Sequence, residues 1–466
     1  LPGPGLGPHA WRRRRAGEAT AFSLLGVTHT VASAGAMDSI AEALIAPVQP
    51  WDAVVCTSTA VRGAVRRLLE VEGDWLRHRL GASRIEGPML PVIPLGVDAA
   101  ALAPDPAARA EWRARLGLGE RDVAVLHHGR LSFHAKAHPL PMFVGLARAA
   151  AAAPKGVDVV LILSGWFADE AQRRAFTEAA RAFAPNLTMR LVERPETGTT
   201  IRAAADLFTL LSDNIQESFG LAPVEALAAG LPVVGTDWDG LKDTVEHGVT
   251  GFRVPTTMAG PMTDLADRHD SGHDSYDSFI AGVAQFTAVD VAAAEAAFAA
   301  LIADPGLRAR MSRAARAAAL TRFDWEPVIG QYRKLWAELA ATRRDARAER
   351  APPLRGVERV PRRPDPSILF ADYPTRRLTP ETRLNLAPGL DAEAATRRAV
   401  AIAGMTGGAP RKELLPSADT LRAAFAKLEA GPATAAILTA ELAPARAWRL
   451  HRALGWLLKV DIIRTS

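Results

Sequence analysis

Six short apolar runs, at residues 123–128, 157–163, 187–192, 207–211, 232–236 and 251–254, alternate with longer stretches of helical period such as residues 170–183. Strands of this length that are apolar throughout, rather than at every second residue, must be covered on both faces, and helices between them provide the cover. The pattern predicts a doubly wound α/β layer with a parallel sheet, in which ligands sit at the carboxyl ends of the strands. Residues 20–98 show the same alternation in a shorter form, with about three strands, at residues 22–32, 53–57 and 91–95, and an amphipathic helix at 62–80. An Ala- and Pro-rich stretch, 98–119, separates the two series.

Two segments at the expected carboxyl ends carry chemistry. In residues 216–235, Glu217 and Glu225 flank Phe219-Gly220-Leu221 and a helix that runs to Gly230, with Pro232 just beyond. Pro223 suits a first helical position, which puts Glu225 in the first turn. The N–H groups after Gly220 then face outward at a helix start, where the dipole favours an anion such as a diphosphate, and the two carboxylates can accept from hydroxyls. The second segment is Gly129-Arg130-Leu131-Ser132 with Lys136 after it, just past the first strand of the longer series. There Arg can clamp phosphate oxygens bidentately and Lys acts as a point charge.

These motifs, in the order Val92-Ile93-Pro94-Leu95-Gly96-Val97-Asp98, Gly129-Arg130-Leu131-Ser132 with Lys136, Glu217 to Glu225, and Gly248-Val249-Thr250-Gly251-Phe252, resemble those of retaining GT-B glycosyltransferases of family 4 across residues 20–335. The resemblance implies two Rossmann-like domains facing a cleft, and transfer of a sugar from a nucleotide-diphosphate sugar to an acceptor with retention at the anomeric carbon. It implies that Glu225 accepts from the ribose hydroxyls, that Glu217 lies near the transferred sugar, and that Phe219, Gly220, Leu221, Arg130 and Lys136 line the donor site. His29, in Gly26-Val27-Thr28-His29-Thr30, is similar to strand-end histidines that reach the sugar from the other domain. With no Asp-X-Asp metal motif in this context, the two cations take over charge neutralisation, and neither metal nor cofactor is expected. The family's Gly-Gly pair is Asp239-Gly240 here. A nucleotide-sugar epimerase of the same architecture and a non-catalytic nucleotide-sugar binder are the alternatives.

The resemblance implies a partial acceptor-side domain (1–118) and a donor-binding domain with a closing helix (119–342); beyond its reach, an Arg- and Pro-rich linker (343–391) leads to a small helical domain whose order of elements is winged-helix-like (392–466). It implies that roughly 80 to 100 residues of the first domain precede Leu1. A net charge of +5 over 466 residues gives little pull on polyanions. The arginines at 12–15 are expected as a solvated run, open to peripheral contact with an anionic membrane surface. Arg446, Arg449 and Arg452 make too few phosphate contacts for nucleic acid, so the last domain is expected to bind protein. One cysteine, Cys56, and no apolar run of transmembrane length point to a cytoplasmic setting.

Overall fold

The computed structural model describes residues 1–16, 19–193, 200–348 and 360–466. They form two compact units, Leu1–Pro361 and Arg362–Ser466.

The first unit opens with α1 (Gly7–Arg15), β1 (Leu25–Val27), α2 (Ala34–Ala41), β2 (Ala53–Val55) and α3 (Thr59–Leu80). β1 and β2 pair in parallel, Leu25 with Ala53, and Met89 and Val92 add isolated parallel bridges to Ala53 and Cys56. The third expected strand goes no further than those bridges because Pro91 and Pro94 have no N–H to donate. The arginine run is not solvated throughout. Arg13 is 1% exposed and forms a bidentate pair with the fully buried Asp52, Nη1 to Oδ1 at 2.6 Å and Nη2 to Oδ2 at 2.7 Å.

After α4 (Pro106–Leu116) the longer series follows: β3 (Val123–Arg130), α5 (Pro139–Ala151), β4 (Val159–Trp166), α6 (Glu170–Phe183), β5 (Thr188–Glu193), β6 (Leu207–Leu210), α7 (Leu221–Ala228), β7 (Val233–Thr236), α8 (Leu241–Thr244) and β8 (Gly251–Val254). All six strands form one parallel sheet in the order β5-β4-β3-β6-β7-β8. Successive residues feed opposite cores: Ala124, Leu126, Ile162, Phe208 and Val233 pack in one, Val123, Val125, Leu161, Leu207 and Val234 in the other. That is the two-period of a strand read against cover on both sides. Strand order reverses between β3 and β6, so their carboxyl ends open a crevice at the switch point.

An antiparallel pair, β9 (Thr256–Met258) and β10 (Thr287–Val289), brackets α9 (Thr263–Asp270) and α10 (Tyr276–Gln285). Next come α11 (Val291–Ala303), α12 (Pro305–Ala318) and a π-helical turn, Ala319–Phe323. The closing helix, α13 (Trp325–Ala348), returns to the first part of the unit, where Val328, Leu335 and Leu339 pack with Ala53, Val55 and Ile93. The chain thus passes twice between the two parts, side by side: Val97 N–H donates to Phe323 O at 2.8 Å, and Ala99 N–H to Asp324 Oδ1 at 2.9 Å.

Of the stretch expected as a linker, residues 349–359 lie outside the described residues, and much of the rest belongs to the second unit. That unit runs α14 (Pro366–Leu369), β11 (Arg383–Leu386), α15 (Ala392–Gly404), α16 (Ala418–Glu429), β12 (Ala433–Thr434), α17 (Ala435–Thr439), α18 (Pro444–Lys459) and β13 (Ile463–Thr465). β11, expected within the linker, is the central strand of an antiparallel sheet ordered β12-β11-β13. Four residues with only Leu384 fully buried give too short a pattern to read as a strand. From α16 to β13 the order is helix–strand–helix–helix–strand, and β13 pairs with β11, a strand from before α15, and not with a wing hairpin. On α18, Leu450, Leu454 and Leu457 enter the core while Arg446, Arg449 and Arg452 are exposed. Trp448, expected among the apolar positions, is 60% exposed, with the Arg452 guanidinium 4.5 Å from its ring centre.

Candidate active site

The switch-point crevice is built by two loops that hold each other. β3 ends at His128, Gly129 and Arg130. Gly129 has φ +146°, and a Cβ on Gly165, its partner in β4, would meet Gly129 O at 1.7 Å, so both positions need glycine. After β6, Ser212 Oγ donates to Lys136 O at 3.0 Å, Gln216 Nε2 to Ala135 O at 3.3 Å, and Asn214 Nδ2 to His134 O. Three side chains from one loop thereby fix the backbone that carries Lys136.

Lys136 Nζ donates to Glu217 Oε2 at 2.5 Å, and both side chains are mostly buried. Arg130 is half-buried and makes no hydrogen bond or ion pair with any described residue. The two line an open cleft of about 290 Å³, together with His128, Gly129, Glu217 and the half-exposed Trp166. Burial first, then the Arg202 and Lys136 charges, push the His128 imidazole down to about 4, so a neutral ring faces the cleft at pH 7. His128 also pairs in the sheet, and its Nδ1 lies 3.1 Å from Ser164 Oγ.

α7 starts two residues earlier than Pro223 suggests. Gly220, at φ +84°, forms its N-cap, a conformation open to glycine, and a Cβ there would meet Leu241 Cδ1 at 2.9 Å. Pro223 is therefore third in the helix and Glu225 lies beyond its first turn. Leu221 is exposed and Ala222 lines the cleft, which brings the helix start to the cations. Phe219 does not bring its ring: at 2% exposure it packs edge-on to Phe323, centroids 6.2 Å apart. Its place between Glu217 and Gly220 is a core anchor for the loop, as an aromatic side chain seeks.

Glu225 is not free. Its carboxylate pairs with Arg202, a guanidinium 4% exposed in the turn Thr200–Ala204. No motif marks Arg202 in the sequence, since a lone Arg in an aperiodic stretch has no spacing to read. His29 stands apart from the cleft: its ring is exposed past the end of β1, and Nε2 meets Pro2 O at 2.9 Å. The first part reaches the site through other residues, for Thr57 Oγ1 donates to Ser218 O at 3.3 Å and Ser58 Oγ to Asp239 Oδ1 at 3.3 Å. The Cys56 thiol is pushed up to about 12 by burial, which makes it an inert core residue.

Asp239, at φ +42°, carries the site's second perturbed group. Burial first, then the Glu217 charge, push its carboxyl up to about 7. The native state then holds a proton that an unfolded aspartate gives up near pH 4, so the stability this proton contributes is present at low pH and lost as pH rises to about 7. Asp213, also raised to about 7 by burial, acts in the same direction. Asp239→Asn is therefore expected to flatten the fall of unfolding free energy between pH 4 and about 7, read by urea denaturation. Parallel profiles for the two proteins would place Asp239 in its ordinary range.

Residues 108–268 match the family of glycosyl transferases group 1. Similar curated proteins include D-inositol 3-phosphate glycosyltransferase of Mycobacterium sp. (strain KMS), 33% identical over 212 residues, or 45% of this chain and 44% of that one. The likeness to glycosyl transferases group 1 thus lies in residues 108–268, which hold β3 to β8 and the cleft. A shorter match, to N-acetyl-alpha-D-glucosaminyl L-malate synthase of Bacillus anthracis, is 41% identical over 66 residues, 14% of this chain and 16% of that one. Among solved structures, Anabaena HepE in complex with UDP and glucose aligns at a TM-score of 0.46 and 20% identity, over 67% of this chain and 71% of HepE. The chain spans about half the length, or less, of the curated relatives it matches. No helix among its described residues is long and apolar enough to cross a membrane.

Proposed function

We propose that this protein transfers a glycosyl group from a nucleotide-diphosphate sugar to an acceptor, with retention of configuration and without a metal. The observation that carries the reading is Arg130, a cation with no hydrogen-bond or ion-pair partner among the described residues, set at the switch point beside Lys136, Glu217 and the start of α7. In this reading the bond from the anomeric carbon to the diphosphate oxygen breaks, a bond to the acceptor oxygen forms, and the proton of the acceptor hydroxyl passes to the departing diphosphate. Charge gathering on the leaving diphosphate is met by Arg130, Lys136 and the N–H groups at the α7 start. Glu217, drawn off Lys136 as the phosphates arrive, faces the developing positive charge on the sugar. Glu225 exchanges its bond with Arg202 for the ribose hydroxyls, and Gly220 lets the donor approach the backbone. The curated names among the relatives, both of sugar-transferring enzymes or their products, favour transfer over epimerisation.

A panel of nucleotide sugars tests this on the full chain. A true donor at 100 times its Kd is expected to raise stability by about 2.7 kcal/mol. Glu225→Ala should weaken donor binding, while Glu217→Ala should chiefly lower kcat, because only contacts that strengthen in the transition state raise turnover. Transfer should continue in EDTA. A rate lost to chelator and restored by Mg²⁺ would overturn the role given to the cations, and no stabilisation by any nucleotide sugar would overturn donor binding.

A further inference from the structure

A second cavity, of about 640 Å³, lies at the double chain crossing and shares no lining residue with the donor cleft. Its walls come from both parts of the first unit: Thr57, Val92 and Pro94 on one side, the segment from α8 to His247 and Arg253 on the other, with the π-helical turn and α13 closing it. Its volume is ordinary for a small-molecule site.

The cations in this wall are held in place and left with spare donors. Arg253 Nη1 donates to Lys242 O at 2.9 Å and Arg322 Nη2 to Asp243 O at 2.7 Å. Two guanidinium groups from distant parts of the chain are thus brought to consecutive carbonyls at the end of α8. Capping a four-residue helix accounts for one N–H of each, and an arginine has five. Arg253 also lies 3.4 Å from Asp237 Oδ1, whereas Lys242 and Arg322 have no carboxylate partner among the described residues.

The two carboxylates in the wall do not quench this surplus. Asp243 is already engaged, accepting from Thr59 N–H at 2.5 Å and from Thr59 Oγ1 at 2.8 Å. Glu246 is exposed. His247 Nδ1 accepts from the Arg253 backbone N–H at 3.1 Å, which leaves Nε2 as the donor of that ring. Lys242, Arg253 and Arg322 outnumber the two acids of the wall by one, Asp237 just outside it offsets Arg253, and the unused hydrogen bonds of the cations are donors.

We propose that this cavity binds a small phosphomonoester, its phosphate held by Arg253, Arg322 and Lys242, at a site separate from the donor cleft. Guanidinium pairs match phosphate oxygens in geometry and charge, and the volume beyond the phosphate suits a sugar or polyol body. Two wall residues tie the site to the loop of the donor cleft: Thr57 bonds Ser218, the neighbour of Glu217, and Phe323 packs on Phe219.

Calorimetric titration of the full chain with glucose 6-phosphate and with glycerol 3-phosphate, at low salt, tests the proposal, with glucose and glycerol as uncharged controls. Binding is expected with Kd of about 1 mM or tighter for the phosphates only. The double variant Arg253→Ala/Arg322→Ala should weaken it at least ~10-fold, and Arg130→Ala should leave it unchanged. Because the arginines also cap α8, Lys242→Ala, an exposed side chain, serves as the second variant and should weaken binding several-fold with an unchanged circular dichroism spectrum. No heat from either phosphate, equal binding of the uncharged controls, loss that follows Arg130, or full affinity in Lys242→Ala would each overturn the site.

Discussion

Asp52→Ala is expected to destabilise the first unit by about 3–5 kcal/mol, among the largest effects a single substitution can have here. Asp52 is wholly buried and accepts four hydrogen bonds: two from Arg13, one from the Leu24 N–H at 2.8 Å and one from the Gln49 N–H at 2.8 Å. Removing it strands a guanidinium 1% exposed and two backbone donors in a place water does not reach. Replacing both charges together by apolar residues, as in Arg13→Met/Asp52→Leu, leaves no uncompensated charge and should recover part of the loss. Guanidinium denaturation followed by tryptophan fluorescence reads both, since Trp51 is buried beside the pair in sequence. A loss below about 1 kcal/mol for Asp52→Ala would mean that the pair is solvated in solution, as surface pairs are.

Lys136→Ala should slow transfer by on the order of 100-fold or more, and Arg130→Ala by a similar factor. At about 4 Å, two unit charges interact by roughly 4 kcal/mol at an effective dielectric near 20, and the leaving diphosphate gains charge only as the reaction proceeds. The loss is therefore expected mainly in kcat, with a smaller change in donor affinity. Lys136 and Glu217 touch, so the double variant Lys136→Ala/Glu217→Ala should lose less than the two single losses combined. Initial rates at saturating donor decide the matter. A Lys136→Ala protein that turns over at the parent rate would remove Lys136 from the proposed chemistry.

The parallel sheet was legible because its strands are apolar along their whole length, and because the loops at its switch point carry residue types that are rare in combination. Arg130, Lys136, Glu217 and the α7 start do meet in one cleft. What the sequence hid was burial. Arg13 sits in a run of four arginines and looks like solvated charge until Asp52, far along the chain, is brought to it. Phe219 sits inside a binding motif yet serves the core. Glu225 has a buried partner, Arg202, that no spacing announces, and His128 joins a strand whose end happens to line the cleft. Each of these depends on a contact between residues distant in sequence, and periodicity carries only local information.

The central strand of the second unit has a kinetic consequence. β11 pairs Arg383 with Thr434 and Leu384 with Thr465, so every ladder of this small sheet joins segments separated by two or more helices. Its helices form from local contacts, whereas the sheet must wait for the longest loops in the unit to close. Leu384, fully buried at the junction of both ladders, then governs how fast the unit reaches its final state as well as how stable that state is.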